Sequence, residues 1–298
     1  MASNTTGSPV TDARDGQVLI VVAVDGSQEA GGAVRWAADD ALRRHASLRI
    51  VHVVEHGPYD ISRFSTPEWP GTLVTNGRKV LAEAEQVARE RQPSVEVSTE
   101  LIEGDLVRSL CDQAAGAAEI VLGSRGLGGF TGALLGSVSV RVAGHAHGPV
   151  VVVRPGDEQA RREVAVGVDD DPHCEPALAY AFEQSALRGC ALRAVHAWQL
   201  PVHAFAPEIV YDMDEIRRAQ LQVVRDKLGA WQEKFPEVTV LEDVQSAHPV
   251  DALVDASATA NLVVVGSHGR GGVASALLGS VSRGVLHHAR CPVAVVRS

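Results

Sequence analysis

GSRGLGGFTGALLGS, residues 123–137, returns as GSHGRGGVASALLGS at residues 266–280. Each copy follows a short aliphatic run and leads into a helix-like segment, so the chain carries the same feature twice. The matching continues on both sides. Asp25 in VVAVDGS meets Asp169 in VAVGVDD, His52 in LRIVHVV meets His196 in LRAVHAW, and GPVVVVR at 148–154 meets CPVAVVR at 291–297. The separation between partners holds to within one residue along the chain, as a duplicated unit requires. At 298 residues the chain exceeds the usual size of one domain, and two of roughly 150 residues are expected. The boundary falls near RPGDEQARRE, residues 154–163, a stretch of charge with Pro and Gly. The expected organisation is a flexible tail over residues 1–16, a first domain over 17–155 and a second over 162–298.

Within each half, strand and helix periodicities alternate. Val18 to Asp25 is a continuous aliphatic run, suited to a strand buried on both faces. After it, Ala30, Ala33, Val34, Ala37, Ala38, Ala41 and Leu42 recur at helical spacing and define one apolar face. A strand over 48–54, a loop with Pro and Gly, a helix near 73–91 and a strand over 95–101 follow. A short helix from Leu106, the strand EIVLG, the glycine loop, a helix from Val138 and the strand PVVVV complete the half. The second half repeats the order. The fold class is therefore α/β: two tandem doubly wound, Rossmann-like domains, each with a five-stranded parallel-type sheet flanked by helices. The final strands PVVVV and PVAVV read as flat sheet edges that pair domains within the chain or join two chains in a homodimer.

Composition narrows the function. Hydrophobic residues make up 45% and charged residues 21%, ordinary for a globular protein, while aromatics at 4% disfavour an aromatic-rich sandwich. A net charge of -10 argues against a nucleic-acid partner. No aliphatic run approaches the length of a membrane span, and the polar N-terminus lacks a signal-peptide core, so a soluble cytoplasmic protein is expected. Cys111, Cys174, Cys190 and Cys291 form no C-x-x-C pair and read as buried free thiols.

The glycine loop and the VDGS turn both lie at carboxyl ends of strands, where open α/β sheets bind ligands. Glycines let backbone amides approach a ligand closely, and Gly136-Ser137 opens a helix whose unpaired amides and dipole favour an anion. Ser137 and Ser280 are placed to cap that helix, to donate a hydroxyl to a phosphate, or both. No Lys follows these glycines and no G-x-G-x-x-G follows the first strand, which removes the P-loop and the dinucleotide fingerprint. The pattern present is G-x2-G-x9-G-S, as Gly123, Gly126, Gly136 and Ser137, and again as Gly266, Gly269, Gly279 and Ser280.

Joined to the first-strand Asp, this pattern resembles the universal stress protein A family in its tandem-domain, ATP-binding form, over nearly all of the chain. The resemblance implies ATP as ligand, with Mg2+, and a role in stress responses through an unidentified protein partner. It implies nucleotide contacts at Asp25, Leu48, Gly123, Arg125, Gly126, Gly136, Ser137 and Val138, with adenine near Leu48. The second set is Asp169, Leu192, Gly266, Gly269, Gly279, Ser280 and Val281. Asp25, Asp169 and Asp170 are the carboxylates expected to meet Mg2+.

The second half departs from the pattern, because VDGS has become VDDD. Asp170 and the neighbouring Asp171 either repel a nucleotide or share Mg2+ with it, and Asp170 is also placed to cap the helix ahead of Pro172. His52 and His196 read as satisfied core histidines, and the histidines at 145, 147, 287 and 288 as helix-end cations. Fast phosphoryl transfer needs a placed base and cationic groups, whereas the loops offer Arg125 and Arg270 with no lysine and no base. The residues therefore read as a nucleotide-binding regulator. A slow ATPase or phosphotransferase, and a scaffold with unused sites, are the alternatives.

Overall fold

A computed structural model describes residues 18–55, 69–126, 135–154, 163–199, 212–268 and 278–297. The expected tail over 1–16 and most of the expected linker lie outside these residues.

The first half contains β1 (Leu19–Ala23), α1 (Gln28–Arg44), β2 (Ser47–Val54), α2 (Trp69–Arg91), β3 (Val97–Glu103), α3 (Leu106–Ala114), β4 (Glu119–Gly123), α4 (Ser137–His145) and β5 (Val150–Val153). The second half repeats it with β6 (Glu163–Gly167), α5 (Glu175–Arg188), β7 (Ala191–Trp198), α6 (Met213–Lys234), β8 (Val240–Ser246), α7 (Pro249–Ala256), β9 (Leu262–Gly266), α8 (Ser280–His288) and β10 (Val293–Val296). Local chemistry sets these boundaries. Ser27 accepts from the Ala30 amide and caps α1, Glu29 lies in its first turn and Arg43 and Arg44 in its last, and His45 ends it in the left-handed region at φ 52. One helical position departs from the apolar spacing: Leu42 is exposed, while Asp40 on the same helix is completely buried.

The ten strands of the described residues form one sheet in the order β3-β2-β1-β4-β5-β10-β9-β6-β7-β8. Pairing is parallel within each half, and β5 meets β10 antiparallel, with Val152 opposite Val293 and Val150 opposite Val295. The expected pair of five-stranded sheets is thus one continuous sheet, and of the two roles expected for the final strands the structure realises pairing within the chain. Both edges of β5 and of β10 are occupied, so a homodimer through those strands is not available. Among the described residues the outer edges of the sheet are β3 and β8, whose sequences VSTELIE and VLEDVQS are polar and half-exposed, as an edge strand should be. One apolar core lies between the sheet and α1, α2, α5 and α6, and the other between the sheet and α3, α4, α7 and α8.

Polar residues tie the halves together on the first of these faces. Asp40 of α1 accepts from Arg44 Nε at 2.9 Å, from Arg188 Nη2 of α5 at 2.8 Å and from Gln184 Nε2 of α5 at 3.0 Å. Tyr180 donates its hydroxyl to Glu119 Oε2 at 2.6 Å, Arg44 lies over the Tyr180 ring, and Arg188 lies over the Trp36 ring. Burial works to raise the Asp40 carboxyl, but Arg188 and Arg44 outweigh it and hold the group below its usual range. Burial, followed by the charge of Asp40, pushes Glu119 up to about 8. On the other face Arg154 donates to the Leu286 carbonyl of α8, and Arg297 donates to the Gly144 carbonyl of α4 at 3.2 Å.

Candidate nucleotide site

Strand order locates the crevices. From β1 the chain passes to β2 on one side and later to β4 on the other, so the sheet opens at the carboxyl ends of β1 and β4, and likewise at those of β6 and β9. Asp25 follows β1, and Gly123 ends β4. Asp169 and Gly266 hold the same places in the second half.

In the first crevice the Ser27 amide donates to Asp25 Oδ1 at 2.9 Å and fixes the turn, with Gly26 at φ +88. Gly126 lies so close to Asp25 Oδ2 that a methyl group there would collide with the carboxylate. At Gly123 a methyl group would press on Glu29 C at 3.2 Å and Ala30 N at 3.3 Å, so the loop leaves β4 against the start of α1. Arg125 pairs with Glu29 at 3.1 Å across that contact. The loop is closed at its base by the Gly136 amide, which donates to the Ser124 carbonyl at 2.7 Å, and by Ser139 Oγ, which donates to the Gly123 carbonyl at 2.8 Å. The second half repeats this closure, with Gly279 N–H to Ser267 O at 2.9 Å and Ser282 Oγ to the same carbonyl at 3.1 Å.

Several expectations change in detail. Gly136 and Gly279 are the N-cap residues, and Ser137 and Ser280 are the first residues of α4 and α8 with no side-chain capping bond, so the serines do not cap. The Gly136 amide is engaged in the loop, which leaves an incoming anion the first-turn amides of Ser137, Val138 and Ser139, and those of Ser280, Val281 and Ser282 in the second half. Leu48 and Leu192 are not brought to the crevices. Leu48 is fully buried and paired with Ile20, near the amino end of the sheet, and five residues of strand rise place it about 16 Å from Asp25 along the sheet. Leu192 is fully buried in the same way opposite Val164. Gly269 and Arg270 lie outside the described residues.

His52 and His196 are satisfied, as expected, and their partner is informative. Each places Nδ1 2.7 Å from the carbonyl just before the crevice Asp, Val24 O for His52 and Val168 O for His196. They brace the turns that carry Asp25 and Asp169. The signal was present in the sequence as a His repeated two positions before the end of each second strand.

The second crevice is built differently at its mouth. Asp169 Oδ1 accepts from the Asp171 amide at 3.0 Å, matching Asp25 and Ser27. Asp171, not Asp170, receives the next turn: its Oδ1 accepts from the His173 amide at 2.9 Å and meets His173 Nδ1 at 2.5 Å. The His173 amide, then its side chain, hold the Asp171 carboxyl below its usual range. A 3-10 turn over Pro172–Cys174 precedes α5, so the helix starts later than α1 and Asp170 does not cap it. Among the described residues no three His, Cys, Asp or Glu side chains are grouped as a metal site. None of the four cysteines is joined in a disulfide; Cys174 and Cys291 are buried and Cys111 and Cys190 half-buried, and burial raises the thiols of Cys111, Cys174 and Cys190.

The family model of the universal stress protein family matches residues 19–154 and again 160–297. The chain belongs to the universal stress protein family. Universal stress protein Rv1996 of Mycobacterium tuberculosis is 37% identical over 302 residues, spanning 93% of this chain and 94% of its own. Universal stress protein Rv2005c of the same species is 38% identical over 286 residues, spanning 93% and 96%. A solved universal stress protein from Archaeoglobus fulgidus shares the fold at a TM-score of 0.70, with 22% identity, 94% of this chain and 96% of that one covered. This universal stress protein thus has two family domains in one chain. Among the described residues no helix is long and apolar enough to cross a membrane.

Proposed function

We propose that this tandem universal stress protein binds ATP and acts as a nucleotide-dependent regulator of a stress response in the cytoplasm. The observation that carries the reading is the convergence, twice, of a crevice carboxylate with the N-terminus of a nine-residue helix framed by a closed glycine loop. First-turn amides with the helix dipole suit a phosphate chain. Asp25 and Asp169 lie across the crevice, placed for the nucleotide or for a Mg2+ held mainly by phosphate oxygens. Among the described residues neither glycine loop carries a lysine, and His268 beside the second loop has its Nδ1 3.0 Å from Ser267 Oγ, which favours holding the nucleotide over turning it over. The functional units are the domains at 17–155 and 162–298. ATP stabilises one conformation of them, and a protein partner reads that conformation.

The test is mass analysis of small molecules released from the purified, denatured chain, with calorimetric titration of ATP into the stripped protein. ATP is expected in the released fraction, and Asp25→Ala is expected to weaken binding by about 1 to 3 kcal/mol while the fold is retained. A chain that yields no nucleotide and takes up none on titration would sink the reading. Phosphate release measured on the same samples reports any slow turnover.

A further inference from the structure

Arg154 and Arg297 hold equivalent places, each directly after the last strand of its half, and each reaches over the seam to a helix of the other half. Arg154 donates to the Leu286 carbonyl of α8, and Arg297 Nη1 donates to the Gly144 carbonyl of α4 at 3.2 Å. Both carbonyls are among the last four of a nine-residue helix, which have no partner within it, and a cation there suits the helix dipole. Arg154 is half-buried, and burial lowers its guanidinium below the usual range. The groups that act on it are Cys291 and Arg125, with no carboxylate among the described residues, so the α8 carbonyl is what holds it.

Through the backbone each arginine is also tied to the crevice of its own half. The carbonyl just before Arg154, Val153 O, accepts from the Ser124 amide at 2.8 Å, and Ser124 O accepts from the Gly136 amide, the N-cap of α4, at 2.7 Å. The carbonyl just before Arg297, Val296 O, accepts from the Ser267 amide at 2.9 Å, and Ser267 O accepts from the Gly279 amide, the N-cap of α8, at 2.9 Å. These bonds close into a ring. It runs from the N-terminus of α4 through Ser124 and Arg154 to the C-terminus of α8, along α8, and back through Ser267 and Arg297 to the C-terminus of α4.

We propose that Arg154 and Arg297 are positioning residues for the crevice of the opposite half, and that through them occupancy of one crevice raises the affinity of the other. This rests on the reading that the crevices hold ATP. A helix of nine residues is about 13 Å long and moves as a unit. A phosphate chain on its first-turn amides and a guanidinium on its last carbonyls therefore act on the same element. The first ligand orders the ring, and the second meets it already ordered and loses less conformational freedom on binding. By linkage the effect is the same in both directions. The wiring is crossed: Arg154 belongs to the first half but holds α8, whose amides face the second crevice, and Arg297 belongs to the second half but holds α4, whose amides face the first.

The test is calorimetric titration of the full chain with ATP in two backgrounds, Asp25→Ala and Asp169→Ala, each of which leaves one crevice intact. In the Asp25→Ala chain, Arg154→Met should weaken the second crevice about fivefold, while Arg297→Met leaves it within about twofold of its starting affinity. In the Asp169→Ala chain the two substitutions exchange effects at the first crevice. Arg154→Lys and Arg297→Lys, which keep a donor, should restore most of each loss. The unsubstituted chain should bind ATP with positive cooperativity, and the Arg154→Met/Arg297→Met chain without it. A merely structural role would lower the melting temperature and act on both crevices alike. Should a Met variant fold poorly, hydrogen exchange decides the matter without one: in the Asp169→Ala chain, ATP held at the first crevice should slow amide exchange over residues 285–288, at the far end of α8. Effects that are not crossed, independent binding in the unsubstituted chain, or unchanged exchange at the end of α8 would overturn the inference while leaving ATP binding intact. Absence of ATP binding to the unsubstituted chain would overturn the proposed function and this inference together.

Discussion

Gly126 and Gly136 are interchangeable in the sequence motif but have different neighbours. A methyl group at 126 runs into the Asp25 carboxylate, whereas at 136 the nearest atoms are Ser124 O at 3.4 Å and Arg125 Cα at 3.6 Å, ordinary contact distances. Gly126→Ala should therefore displace Asp25 and weaken ATP binding by about 1 to 3 kcal/mol, with little change in melting temperature. Gly136→Ala should act on the fold instead, costing on the order of 1 kcal/mol because alanine is a poor N-cap. Melting curves and ATP titrations on both variants check this, and equal effects of the two on affinity would contradict it. The glycines themselves were legible from spacing alone. Which of their amides are engaged was not, because the bond from Gly136 N–H to Ser124 O closes a loop and leaves no trace in composition.

At the scale of the element, α1 shows what periodicity can and cannot convey. Its alanine face is buried as the spacing implies, yet Asp40 is fully buried among those alanines and Leu42 is exposed. Asp40 is inside because its partners Gln184 and Arg188 come from the other half of the chain, a contact that no local pattern records. Asp40→Asn removes the anion shared by Arg44 and Arg188, whose side chains are only 7% and 8% exposed. The variant should lose about 3 to 5 kcal/mol of stability, the usual cost of stranding a buried charge. Gln184 holds the place in α5 that Asp40 holds in α1, so Asp40→Asn with Gln184→Asp should recover part of that loss in denaturant unfolding. No recovery would mean that the seam is not symmetric in its charge requirement.

For the whole molecule, the duplication and the parallel order of each half were readable because buried strands and amphipathic helices alternate at constant spacing. The joining of ten strands into one sheet was left open by the sequence, since a flat aliphatic edge fits a partner in the same chain or in another. The seam also carries a pH signature. Glu119 is raised from 4.5 to about 8 in the folded chain, so between those values the native state keeps a proton that the unfolded state has released. Stability is thus full below about pH 4.5 for this group and falls as pH rises, by about 1.4 kcal/mol per unit, until the folded group ionises. Asp40, held low, works in the opposite sense and only in stronger acid. Glu119→Gln should flatten melting temperature against pH between 6 and 8, and an unchanged slope would show that the proton resides elsewhere.

Under the proposed function, the antiparallel meeting of β5 and β10 has a consequence for any partner that would read the nucleotide. Strand direction reverses at that seam, so the carboxyl ends of β1 and β4 lie on one rim of the sheet and those of β6 and β9 on the other. Five strand spacings separate β1 from β6, about 24 Å measured across the sheet. No small molecule can bridge the two mouths, and no flat protein surface can cover both. On that reading a partner would have to wrap the molecule or engage one rim, so two sites on opposite rims of one sheet would be read separately, by two copies of one partner or by two different partners.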